Sequence, residues 1–193
     1  MNKKQLSKLL IPTLSILLLI SGCSKTTSAR LSTQTEDNNQ VGAYSAQNDG
    51  SSDDILIKEI SSAQKNLDIA IYLITKENIS NAILDAKKKG VDIRVITDSE
   101  NSKSKTQKEI LDKFKQSGIP IKINTPTGLT HLNFTVIDNA EALGGSYNYL
   151  DLDDVTTKND ERSIIMKKTD IVSKYSAAFN SMWNNTNDYE NYR

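Results

Sequence analysis

The chain has one cysteine and one histidine in 193 residues. With Cys23 alone, neither an intrachain disulfide framework nor a cysteine-built metal site is available. With His131 alone, any imidazole chemistry must rest on that residue, and the two together give no recognisable transition-metal set. No internal repeat is visible. Long apolar runs are also missing: the run at residues 9–20 falls short of the ~20 residues a helix needs to cross a bilayer. Nor is there an excess of either charge, with 24 basic and 24 acidic side chains. Overall charge therefore does not announce a nucleic-acid binder, which is usually strongly basic.

The short apolar run has a meaning of its own. Lys3, Lys4 and Lys8 precede it, and Ile20-Ser21-Gly22-Cys23 closes it. A positive region, an apolar core and a small-residue cleavage site make a secretory signal. The closing tetrapeptide resembles a bacterial lipobox, which implies that residues 1–22 are removed and that Cys23 is lipidated on the extracytoplasmic face of the cell membrane. A plain signal peptide or a short buried helix is the alternative. Without the three signal lysines, 21 of the 24 basic residues remain against 24 acidic ones, a formal −3. Residues 23–52 are rich in Ser, Thr, Asn, Gln and Asp and show almost no apolar periodicity, so they are expected to form a flexible tether. Residues 53–193 are long enough for one domain with a proper core.

Within that domain, apolar spacing predicts helices and strands in alternation. A helix begins at Asp53 or Asp54 and carries Leu56, Ile60 and Ala63. A strand follows at 67–73, then a helix at about 76–89 that Gly90 stops. The β-branched run 91–97 is a buried strand. A helix at about 104–117, ended by Gly118, leads to a strand at 119–123. Strands at about 133–138, 141–145 and 162–166 then follow without long helices between them, so part of the sheet is expected to be antiparallel. A last helix from Thr169 places Ile171, Tyr175, Phe179, Met182 and Trp183 on one stripe, a core face. The fold class is α/β: a mixed sheet in a single domain.

The densest chemistry surrounds the one histidine. His131-Leu132-Asn133 opens a β-rich run that ends on Asp138, and Gly144-Gly145-Ser146-Tyr147-Asn148 follows. Asn159-Asp160-Glu161 lies downstream. This pattern resembles the phospholipase D superfamily, whose motif is His-x-Lys-x4-Asp followed by a Gly-Ser-x-Asn turn and an Asn-x-Glu element. The likeness runs over residues 52 to 184 and is greatest to small single-motif members such as bacterial non-specific endonucleases. One position departs from it: Asn133 stands where the family has lysine.

The resemblance implies a phospholipase D-like sheet with helices on both faces and a phosphodiesterase activity; no cofactor or metal is implied by these residues, with a carboxylate Mg²⁺ site as the alternative. It also assigns roles. His131 attacks phosphorus, and Glu161 holds a histidine tautomer. Asn133, Ser146 and Asn148 bind phosphate oxygens. Asp138, Gly145 and Asn159 support the motif, although Asp138-Asn139 also has the composition of a turn between strands. One histidine cannot be both nucleophile and leaving-group acid, which implies a homodimer with two His131 rings in one cleft. The substrate is a phospholipid head group or a nucleic-acid backbone. The alternative, favoured by Asn133, is a non-catalytic phosphate-binding lipoprotein that keeps the fold. Lys158 is a nearby cation for the missing lysine. The lysines at 87–89 and at 103, 105, 108, 113 and 115 form solvated helix faces or, alternatively, anion-attracting patches.

Overall fold

The computed structural model of the chain describes residues 41–45, 52–125, 128, 130–146, 149 and 162–193. They all fall in one compact unit, Glu36–Arg193. The elements run β1 (Val41–Ser45), α1 (Ser52–Ser62), β2 (Asn66–Ile71), α2 (Glu77–Lys88), β3 (Asp92–Thr97), α3 (Lys105–Gln116), β4 (Ile121–Asn124), β5 (Asn133–Ile137), β6 (Glu141–Gly145), β7 (Arg162–Met166), α4 (Thr169–Asn184) and β8 (Tyr189–Asn191). Eight strands form one sheet in the order β1-β7-β6-β5-β2-β3-β4-β8. β2, β3 and β4 are parallel, and every other pairing is antiparallel.

The parallel half follows from where its helices stop. Gly90 and Gly118 have φ of +94° and +74°, the left-handed region that glycine enters without a Cβ penalty. At the end of α2, Gly90 N–H donates to Lys87 C=O (2.9 Å) and Val91 N–H to Ala86 C=O (3.2 Å). The end of α3 repeats this geometry, with Gly118 N–H on Lys115 C=O and Ile119 N–H on Phe114 C=O, both at 3.0 Å. Both are Schellman closures, which satisfy the last carbonyls and turn the chain back toward the sheet. Val91 and Ile119, the residues just beyond, are buried.

Alternation along the strands divides the core in two. Leu67, Ile69 and Ile71 of β2, with Ile93 and Val95 of β3, face Leu56, Ile60, Ile79, Ile83, Leu111 and Phe114 of α1, α2 and α3. Ala70, Ile96, Phe134, Val136 and Ala142 point the other way, onto Val172 and Phe179 of α4. Helices thus cover both faces of a mixed sheet. On the α4 side, buried Asp68 accepts two hydrogen bonds of 2.7 Å from its cross-strand neighbour Arg94. Arg94 also donates to Asn180 Oδ1 (2.9 Å), and its guanidinium lies 4.9 Å from the Phe179 ring centroid. A charge buried on β2 is thereby paired and covered.

Three features depart from the sequence expectations. The tether reading of residues 23–52 does not hold at Val41–Ser45, which pairs antiparallel with β7 from Val41↔Met166 to Ser45↔Arg162. An exposed strand edge offers a row of backbone donors and acceptors, and an added strand satisfies them whatever its side chains. β8 was not anticipated, because Tyr189-Glu190-Asn191 has no apolar alternation; it adds to β4 by the same backbone logic. On α4 the buried positions are Val172 and Phe179, whereas Ile171, Tyr175, Met182 and Trp183 are only half-buried around them. No described helix is long and apolar enough to cross a membrane.

Candidate active site

β2 and β3 both end at the same edge of the sheet, at Ile71 and Thr97. The antiparallel strand β5 begins there, with Asn133 paired to Ile71. β6 ends at that edge on Gly145, paired to Ser163 of β7. The topology therefore brings residues 131, 133, 145 and 146 together from two turns of chain. Asp138 closes the far end of the β5–β6 hairpin.

Asp138 and Asn139 both have φ of +53°, as the central residues of a tight hairpin of type I′ character do, and Ala140 N–H closes the turn on Ile137 C=O (2.9 Å). The Asp138 carboxylate accepts from the backbone N–H groups of Gln64 (3.0 Å), Lys65 (2.7 Å) and Asn66 (3.0 Å). Burial pushes its pKa up. The N–H groups of Asn66, Gln64 and Lys65, with the Lys65 charge, outweigh that and hold the carboxyl below the usual range. Asp138 ties the hairpin to the start of β2, at the end of the sheet away from His131.

His131 is exposed and lies just ahead of β5, so strand pairing does not hold it directly. Instead the backbone is pinned on both sides. Thr130 N–H donates to the buried carboxylate of Asp98 (3.2 Å), and Leu132 C=O accepts from Tyr72 N–H (2.7 Å). The other Asp98 oxygen accepts from Glu100 N–H (3.1 Å) and Asn101 N–H (3.0 Å), closing the turn after β3. The Tyr72 ring meets the imidazole edge to face, with centroids 4.6 Å apart and planes at 74°. Behind Tyr72, fully buried Gln107 accepts from Ile74 N–H (3.1 Å) and donates to Thr97 Oγ1 (2.8 Å).

Asn133 and Thr135 face the α1–α3 side, as strand alternation requires. Thr135 Oγ1 lies 2.7 Å from Tyr149 Oη, and burial pushes the Tyr149 phenol up to about 12, so it stays neutral. The Asn133 Oδ1 atom is buried and makes no hydrogen bond. It borders a cavity of about 20 Å³, lined also by Leu56, Leu143, Tyr149 and Ser163. A void of that size holds about one water. Gly145 and Ser146 are exposed at the strand end.

Asn148, Asn159, Glu161, Lys158 and Cys23 lie outside the described residues. Among the described ones, no group of three or more His, Cys, Asp or Glu side chains is arranged to hold a metal ion. Tyr72, Asp98 and Gln107 were not singled out from sequence. An aspartate closing the apolar strand 91–97 was visible, but its partner Thr130 is 32 residues away and no local pattern links them.

The profile described as "Cardiolipin synthase, PLD-like domain" matches residues 56–183, most of the chain. The chain belongs to the phospholipase D-like family. It is 31% identical over 124 residues to a mitochondrial cardiolipin hydrolase of Chlamydomonas reinhardtii, covering 64% of this chain and 54% of that protein. To a phospholipase D of Rickettsia prowazekii it is 26% identical over 120 residues, covering 62% and 57%. The chain thus spans little more than half the length of these curated relatives. The fold is shared with Nuc, a phospholipase D family member from Salmonella typhimurium: TM-score 0.70, 22% identity, 80% of this chain and 98% of that one. NucT from Helicobacter pylori aligns with a TM-score of 0.63 at 21% identity, covering 75% and 95%.

In this phospholipase D-like chain the edge offers an exposed imidazole, an uncharged amide two residues on, and a strand end carrying Gly145 and Ser146. An imidazole can attack an electrophile or accept a proton. Asn133 can donate hydrogen bonds but brings no charge.

Proposed function

We propose that the chain is a phosphodiesterase of phospholipase D type, held at the extracytoplasmic face of a bacterial cell membrane by lipidated Cys23. The observation that carries this reading is His131, exposed at the sheet edge where β5 and β6 bring it together with Asn133, Gly145 and Ser146, in a chain of this family. In the proposed reaction one His131 nitrogen attacks phosphorus. A P–N bond forms, the P–O bond to the leaving group breaks, and the leaving oxygen takes a proton from a second imidazole. That imidazole then removes a proton from water, which attacks phosphorus and breaks the P–N bond. Splitting one hard displacement into two lowers each barrier. The second imidazole comes from another copy of the chain, because each copy has one. Asn133, Ser146 and Asn148 bind the phosphate oxygens, and Glu161 fixes an imidazole tautomer.

Asn133 supports a second reading, a phosphate-binding lipoprotein without turnover. Losing one preorganised donor at a developing negative charge commonly costs about 10²- to 10³-fold in rate. The deciding experiment compares wild type, His131→Ala and Asn133→Lys on bis-p-nitrophenyl phosphate, DNA, phosphatidylcholine and cardiolipin. We expect wild-type hydrolysis that His131→Ala abolishes and Asn133→Lys raises. Wild-type activity no higher than that of His131→Ala, with rescue by lysine, would establish the binding reading instead. The substrate that responds to His131 distinguishes lipid head group from nucleic-acid backbone.

A further inference from the structure

We infer that Tyr72 is a positioning residue for His131, setting the plane of the imidazole at this end of the sheet; this rests on the phosphodiesterase reading above. The imidazole is exposed and stands outside β5, so neither core packing nor the strand ladder selects its rotamer. The described side chain stacked against it is Tyr72, edge to face at 4.6 Å. Such an aromatic pair biases a side chain's orientation by roughly 2- to 10-fold.

Tyr72 is itself held. Its N–H donates to Leu132 C=O (2.7 Å), the residue after the histidine, and its C=O accepts from Thr97 Oγ1 (3.4 Å). Thr97 is fixed in turn by buried Gln107, which also grips Ile74 N–H. One residue thus fixes both the backbone beside His131 and the plane of its ring, and buried side chains fix that residue. An attacking nitrogen must sit in line with the bond it breaks, and an error of about 1 Å can cost about 100-fold in rate. Tyr72 supplies that alignment where the histidine's own strand does not.

The single histidine makes the test direct, because its Cε1–H and Cδ2–H signals are the only imidazole signals in the full chain. Tyr72→Phe keeps the ring, whereas Tyr72→Met replaces it with a flexible side chain that fills the space. We expect Tyr72→Phe to retain the ring-current-shifted His131 signals and a kcat within about two-fold of wild type on bis-p-nitrophenyl phosphate. For Tyr72→Met we expect signals moved toward those of a free histidine and a kcat lower by about 3- to 10-fold, with KM little changed. Met and Phe variants alike in both signals and kcat would overturn the proposal. If wild type shows no His131-dependent hydrolysis, the phosphodiesterase reading falls, and the signal comparison still decides whether Tyr72 orients the ring. A melting temperature near that of wild type for both variants separates a lost orientation from a lost fold.

Discussion

The environment of Asp138 ties its contribution to stability to pH. Its folded-state pKa lies below the ordinary value of about 3.9, so it contributes stability that is fully present above that value. That contribution is lost as pH falls through the folded pKa. Asp138→Ala should cost about 1–3 kcal/mol at neutral pH, since it removes a charged acceptor from three backbone donors, two of which water can reach. The gap between variant and wild type should begin to narrow near pH 4 and shrink further as pH falls through the folded pKa. Urea titrations at pH 7 and pH 3 check this, and an undiminished gap at pH 3 would show that the charge is not what stabilises. Asn133 presents the opposite case: an acceptor atom buried without a donor, at the position where the family has a cation. The sequence exposed both residues through motif spacing. It did not show that one side chain is saturated and the other unsatisfied, because the donors to Asp138 lie 72–74 residues back along the chain and the walls around Asn133 come from separate elements, Leu56 of α1 and Ser163 of β7 among them.

At the scale of elements, α4 packs on the face of the sheet opposite α1–α3, against β2, β5 and β6. Phe179 is fully buried, stacks on Trp183 at 5.8 Å and lies under the Arg94 guanidinium. Phe179→Ala should therefore cost about 3–5 kcal/mol, read as a drop in the urea midpoint. A cost under about 1 kcal/mol would mean that α4 contributes little to the core. The apolar stripe in the sequence predicts this helix, and the buried Val172 stands one residue from the expected Ile171, an offset that periodicity does not resolve. Gly90 and Gly118 marked helix ends unmistakably, since each supplies a backbone shape that other residues resist. β1 and β8 carried no such signal. Both are edge strands held by backbone hydrogen bonds, and such bonds leave no trace in residue type.

For the whole molecule, the proposed two-imidazole chemistry requires two copies of the chain. Light scattering on the active protein should report a dimer, and an active form that stays strictly monomeric would exclude the shared cleft. Adding excess His131→Ala chain and allowing exchange should depress wild-type activity, because mixed dimers then hold one imidazole where the reaction uses two. The α/β class, the mixed pairing and the helices on both faces were legible from the order of elements. The gathering of residues 131, 133, 145 and 146 was legible as strand 133–138 turning at Asp138-Asn139 onto strand 141–145; their placement beside Tyr72 was not, because it depends on β5 inserting beside β2 and not beside β4, which precedes it.

That insertion also orders events as the chain emerges, N-terminal end first. β2 has β3 on one flank and β5 on the other, but β5 is made only after α2, β3, α3 and β4. An emerging chain that has just released β4 holds all three parallel strands, with the backbone flank of β2 that β5 will pair still bare. A bare strand edge is a template for mispairing with another chain. At synthesis rates of about 5–20 residues per second, the exposure lasts on the order of a second. The hairpin that carries the histidine to the sheet is therefore also the segment that closes this interval.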